Sequence, residues 1–228
     1  MTETATRALT IAVDADISVS ALFQAPAGAR ACYVLAHGAG AGMTHSFMAA
    51  LAAELSLRDI ATLRYQFPYM EKGGGRPDSP KLAHATVRAA VAAATDLAPG
   101  LTLIAGGKSF GGRMTSQTQA LDPLPQVAGL AFVGFPLHPP KKLSSERAEH
   151  LFEIRVPMLF LQGTRDELAD RRLIAEVVDR LGARAGIRWF DDADHAFHVR
   201  KSSGSNDAQV VAGLAQAIAD FAARLGRS

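Results

Sequence analysis

Leu101-Thr102-Leu103-Ile104-Ala105-Gly106-Gly107-Lys108-Ser109-Phe110-Gly111-Gly112-Arg113-Met114 is the stretch on which the reading of this chain turns. Residues 101–105 form a short apolar strand that runs straight into glycines, and residues 113–120 suit a helix. Gly107-x-Ser109-x-Gly111 between a strand and a helix is the pattern of a nucleophile elbow. The glycines are a matter of space. The serine sits at the apex of a strained turn, and side chains at 107 or 111 would clash where strand and helix nearly touch. Such a turn lifts the Ser109 hydroxyl above the sheet edge. It also places the free N–H groups of a helix start under a reacting carbonyl.

Two other readings compete. Gly107-Lys108-Ser109 ends the phosphate-loop pattern G-x-x-x-x-G-K-[ST]. That pattern needs glycine at 102, where Thr102 stands, and a roomy loop before the Gly-Lys, where here the strand continues. The other is a glycine-rich turn without chemistry, and the rest of the chain decides against it.

The chain has 228 residues, which suits one domain over residues 1–228 that buries roughly 70% of its unfolded surface. A formal net charge of +2 gives no argument for nucleic acid. Cys32 is the single cysteine, so no intrachain disulfide can form and a reducing compartment is permitted. Glu3, Asp14 and Asp16 without an apolar core argue against a signal peptide, and no run is long enough for a membrane span. A cytoplasmic protein with no membrane partner is the expectation. Nothing in the sequence fixes its oligomeric state.

Strands and helices alternate. Residues 9–13 and 18–23 read as an antiparallel hairpin turned by Asp14 and Asp16. Residues 31–36 are a continuous apolar run, as a central parallel strand requires. Further strands are expected at 60–65, 127–133, 157–161 and 186–190. Helices are expected at 46–56, at about 81–97, and around Leu173 to Leu181 before Gly182. A last helix carries Val211, Leu214, Ile218, Phe221 and Leu225 on one face. Asn206 and Gln209 form a capping-box pattern at its start. Residues 67–80, with Gly73-Gly74-Gly75, read as a polar loop. This alternation predicts an α/β fold, a mostly parallel, doubly wound sheet with helices on both faces. Ligands on such sheets bind at the carboxyl ends of the strands. Ser109, Asp166 and His195 all fall just beyond strand ends, on one edge of the sheet.

The order serine, acid, histidine is that of the α/β-hydrolases. The chain resembles a small member of that superfamily along nearly its whole length. The resemblance and the chemistry imply Ser109 as nucleophile, His195 as general base and Asp166 as the residue that orients and charges the imidazole. Glu167 and Asp170 are reserve acids, and Asp166 could instead cap the helix that follows it. The oxyanion hole would use the N–H of Phe110 and one from the loop after His37-Gly38, Ala39 or Gly40. His198 with Asp191, Asp192 and Asp194 matches no metal-ligand spacing. Gly38, Gly40 and Gly42 fail the dinucleotide pattern at Met43. Neither a metal nor a cofactor is expected.

A narrower resemblance rests on several segments: Arg64-Tyr65-Gln66-Phe67-Pro68-Tyr69, Arg76-Pro77-Asp78, the elbow, Gly134-Phe135-Pro136-Leu137-His138-Pro139-Pro140, and Gln162-Gly163-Thr164-Arg165-Asp166. They are similar to a dienelactone-hydrolase-like group whose animal relatives include a testis-expressed protein and a subunit of a histone acetyltransferase complex. Dienelactone hydrolases themselves use a cysteine nucleophile, and Ser109 stands in that place. The resemblance implies hydrolysis of a small-molecule carboxylic ester or thioester through an acyl-enzyme. Its alternative is a catalytically idle binding or scaffold module. The stretch after Val133 is too short for a lid domain, so an open site that accepts small acyl groups is expected. Arg64, Tyr69, Arg76, Lys108 and His138 are the expected substrate rim. With Lys72, Arg113, Lys141 and Lys142, its cations would favour an anionic or strongly polar acyl group.

Overall fold

A computed structural model describes residues 4–226. Among these residues eight strands, numbered along the chain, form one sheet in the order β1-β2-β4-β3-β5-β6-β7-β8. β1 (Thr6–Ala12) and β2 (Ser18–Gln24) are the antiparallel hairpin, and β2 joins β4 (Ile60–Tyr65) antiparallel. β3 (Ala31–Ala36), β4, β5 (Thr102–Lys108), β6 (Val127–Val133), β7 (Met158–Gly163) and β8 (Ala185–Phe190) run parallel. All six residues of β3 are buried. The pleat sends Cys32, Val34 and Ala36 to one face and Ala31, Tyr33 and Leu35 to the other. That two-sided burial is what the unbroken apolar run encodes.

Helices α1 (Ser46–Ser56) and α6 (Asp207–Leu225) cover the second face through Met48, Leu51, Leu55, Leu214 and Ile218. The first face takes α3 (Pro80–Leu97), α4 (Phe110–Leu121) and α5 (Arg171–Leu181) through Val87, Met114 and Ile174. Asn206 and Gln209 make the expected capping box on α6. One element departs from the sequence reading. A short helix, α2 (Pro68–Glu71), occupies part of the stretch expected as loop, with Pro68 at its first position. The link between β6 and β7 holds a 3-10 helix at Glu146–Glu153 and no inserted domain. Among the described residues no helix is long and apolar enough to cross a membrane.

The crossover from β5 to α4 is as tight as its glycines predict. A Cβ at Gly107 would lie 2.2 Å from the Ala36 carbonyl oxygen, and one at Gly111 would lie 2.5 Å from that of His37. Real Cβ atoms cannot approach so closely, so both positions exclude any side chain.

Candidate active site

Ser109 stands between β5 and α4 with φ 49° and ψ −114°, a conformation that an L residue adopts only under constraint. The constraint is local: its N–H donates to the Val133 carbonyl at 3.1 Å, and its carbonyl starts α4 by accepting from Arg113. The Oγ therefore projects beyond the carboxyl edge of the sheet.

His195 arrives on the turn after β8. Asp194 shapes that turn by accepting from the N–H groups of Ala196 at 2.8 Å and His198 at 3.0 Å. The backbone closes it through Asp194 N–H to His198 O and Phe197 N–H to Asp194 O. The turn holds the imidazole with Nε2 2.8 Å from Ser109 Oγ and Nδ1 2.8 Å from Asp166 Oδ2. A carboxylate can only accept, so Nδ1 carries the proton and Nε2 is free to accept from the serine hydroxyl. The Asp166 side chain is fully buried, while the histidine keeps a partly exposed edge. Gln162 donates to Asp166 Oδ2 at 2.6 Å, and the Leu168 N–H donates to Oδ1 at 2.8 Å. Gln162 is itself oriented by accepting the Phe135 N–H at 3.0 Å. The reserve acids are used otherwise. Asp170 caps α5 by accepting from Arg172 and Leu173, and Glu167 is exposed.

The loop over the serine is pinned from below. His37 is fully buried, donates through Nδ1 to Gly38 O at 2.8 Å and accepts the Phe67 N–H on Nε2 at 3.0 Å. Burial holds its basicity below the usual histidine range, so it stays the neutral tautomer those two bonds require. Gln66 accepts the Met43 N–H at 2.9 Å. The Tyr69 hydroxyl donates to the Gly38 carbonyl at 3.5 Å from beneath, and Ala39 lines the pocket above the serine. A pocket of about 260 Å³ opens at Ser109, lined by Gly38, Ala39, His45, Phe47, Lys108 and His195 among others.

Of the expected rim, only Lys108 lines this pocket. Arg64 is buried, and its guanidinium donates to the Met43 carbonyl at 3.3 Å, supporting the loop from beneath. His138 is buried as well. It donates to Pro139 O and accepts the Asp170 N–H at 2.8 Å, which ties its loop to the segment after Asp166. Tyr69 is buried under the loop, and Arg76, Lys141 and Lys142 are exposed on other loops. The basic rim expected to select an anionic acyl group is therefore not assembled at the serine. Phe110 begins α4 directly after Ser109, where its N–H is one of the free helix-start donors. Among the described residues no three His, Cys, Asp or Glu side chains group as a metal site.

Lys108 makes an unusual contact. Its Nζ donates to the His195 carbonyl oxygen at 2.5 Å and lies over the Phe197 ring at 5.4 Å. Burial pulls its pKa down from 10.5 to about 8, against the opposing attraction of Asp166 and Asp194. Between about pH 8 and pH 10.5 the unfolded chain thus holds a proton that the folded chain lacks, so this group makes stability rise with pH there. Urea unfolding should show the free-energy difference between wild type and Lys108→Met moving in favour of wild type across that window. A difference that stays constant would count against a depressed Lys108.

The family model described as an alpha/beta hydrolase domain matches residues 29–223. Among solved structures, a serine hydrolase without a lid from Xanthomonas campestris superposes with a TM-score of 0.74 at 17% identity, covering 95% of this chain and 94% of that one. A dienelactone hydrolase from Anabaena variabilis gives 0.74 at 18%, covering 96% and 97%. Est1E from Butyrivibrio proteoclasticus gives 0.71 at 14%, covering 97% and 99%. At these identities the likeness is one of fold. With the family match spanning most of the chain, the protein belongs to the α/β-hydrolase domain family.

Proposed function

We propose that the protein is a cofactor-free, cytoplasmic serine hydrolase that cleaves a carboxylic ester or thioester through an acyl-enzyme on Ser109. One observation carries this reading: the unbroken relay Ser109 Oγ, His195 Nε2, His195 Nδ1, Asp166 Oδ2, with both contacts at 2.8 Å. His195 takes the serine proton as Oγ attacks the carbonyl, and Asp166 stabilises the imidazolium that forms. The oxyanion is received by the N–H groups of Phe110 and of Ala39 or Gly40. His195 then returns the proton to the departing alcohol or thiol, and water repeats the cycle on the acyl-enzyme. The likeness in fold to a lidless serine hydrolase and to a dienelactone hydrolase supports ester chemistry, and a serine in place of cysteine points away from the dienelactone reaction itself. The kinship with the animal testis-expressed and acetyltransferase-complex proteins is part of the same proposal.

A fluorophosphonate probe tests it. The expected result is stoichiometric labelling mapped to Ser109, blocked by prior reaction with p-nitrophenyl acetate. A protein that takes up no label and turns over no ester would instead be the idle binding module.

A further inference from the structure

The pocket at Ser109 has a neighbour that shares two of its lining residues. Phe47 and Ala196 line it and also line a second cavity of about 590 Å³ between α1 and α6. That groove is lined by Ala50, Ala53, Ala208 and Val211, and by Phe197, which stacks on Phe47 with ring centroids 5.9 Å apart and planes 19° from parallel. Its charged residues are already partnered. Glu54 pairs with Arg58 at 2.6 Å and His198 with Asp207 at 2.9 Å. The groove thus offers apolar surface and small alanine side chains, with no free charge among the described residues to seat an ionic group.

Direction follows from chemistry. The imidazole that protonates the leaving group must lie on the leaving group's side of the serine. The groove begins at the residues directly after His195, namely Ala196, Phe197 and His198. Resting on the serine-hydrolase reading above, we infer that this groove is the leaving-group subsite and takes the apolar alkyl or aryl arm of an alcohol or thiol. The favoured substrate then joins a small acyl group to an apolar alcohol, the reverse of the anionic acyl ester that the basic residues predict from sequence.

Two isomers separate this from general greasiness: hexyl acetate, with its chain on the alcohol, and methyl heptanoate, with its chain on the acyl group. Expected kcat/KM is at least tenfold higher for hexyl acetate. Along the alkyl acetates it should rise roughly two- to fourfold per methylene until the groove is filled. Ala50→Trp, on the exposed side of α1, should return the hexyl-to-methyl acetate ratio to near unity. Equal isomers, or a preference for methyl heptanoate, would overturn the subsite while leaving Ser109 chemistry intact. If no ester is turned over and Ser109 takes no fluorophosphonate, the hydrolase reading fails, and the groove is judged by binding alone. Titration with 1-hexanol should then shift the NMR methyl signals of Ala50, Ala53 and Ala208. Unmoved signals would overturn the groove as an apolar site.

Discussion

Ser109→Ala is expected to lower kcat for p-nitrophenyl acetate by roughly 10⁴-fold or more, with the fold intact. The loss is large because the mutation removes the covalent route itself. The amides proposed to receive the oxyanion, those of Phe110 and of Ala39 or Gly40, remain with His195, but no oxygen is held 2.8 Å from Nε2 to attack. Water entering the gap starts without the alignment that the elbow imposes through φ 49° and the Val133 contact. Residual rate above background would come from the oxyanion donors and from binding. Stability should change little, or rise slightly. Ser109 is partly exposed, and alanine accepts the elbow no worse than serine does. Circular dichroism and a urea midpoint check the fold, while burst titration of wild type checks that the measured rate belongs to this protein. Turnover equal to wild type would remove Ser109 as nucleophile, whatever the distances.

What could be read from sequence, and what could not, follows from the range of the forces involved. The elbow was legible because its requirement is steric and local: Gly107 and Gly111 each stand where a Cβ would meet backbone within 2.5 Å. The central strands were legible because two-sided burial writes an unbroken apolar run, as in β3. Ser109, Asp166 and His195 could be placed on one edge because each ends a parallel strand. Gln162, His37 and Asp194 were not recognised for their roles. Gln162 bridges Phe135 to Asp166, and His37 bridges Gly38 to Phe67, contacts that no spacing pattern records. Arg64 was misplaced for a different reason. Charge and a place near the end of its strand sent it to the rim, yet it lies in a fully buried strand between Leu63 and Tyr65, which face α3. The pleat turns Arg64 the other way, under the loop that it supports. Alternation within residues 60–65 carried that signal, and composition masked it.

Asp166→Asn is the second large effect, expected at 10³–10⁴-fold in kcat. The carboxylate receives donors from three directions: His195 Nδ1, Gln162 Nε2 and the Leu168 N–H. An amide has one oxygen and one NH₂. If its oxygen stays with Leu168, the NH₂ confronts both Gln162 and His195. Imidazole can then satisfy it only by presenting a bare Nδ1, which moves the proton to Nε2 and leaves nothing to accept the serine hydroxyl. If the amide turns over, its NH₂ meets the Leu168 N–H, and the imidazolium formed during catalysis still lacks a counter-charge. Either orientation leaves a buried donor unpaired, so a stability cost of about 1–3 kcal/mol should accompany the kinetic loss. Asp170→Asn is the control. Asparagine caps a helix about as well as aspartate, so α5 should keep its start and kcat should stay within a few-fold of wild type. The paired result separates Asp166 from Asp170, one of the two reserve acids that sequence alone left open; the other, Glu167, is exposed. If Asp170→Asn carries the kinetic loss and Asp166→Asn does not, the relay runs through the wrong carboxylate. If both leave kcat unchanged, His195 works without an acid, and the burial of Asp166 beneath it serves the fold alone.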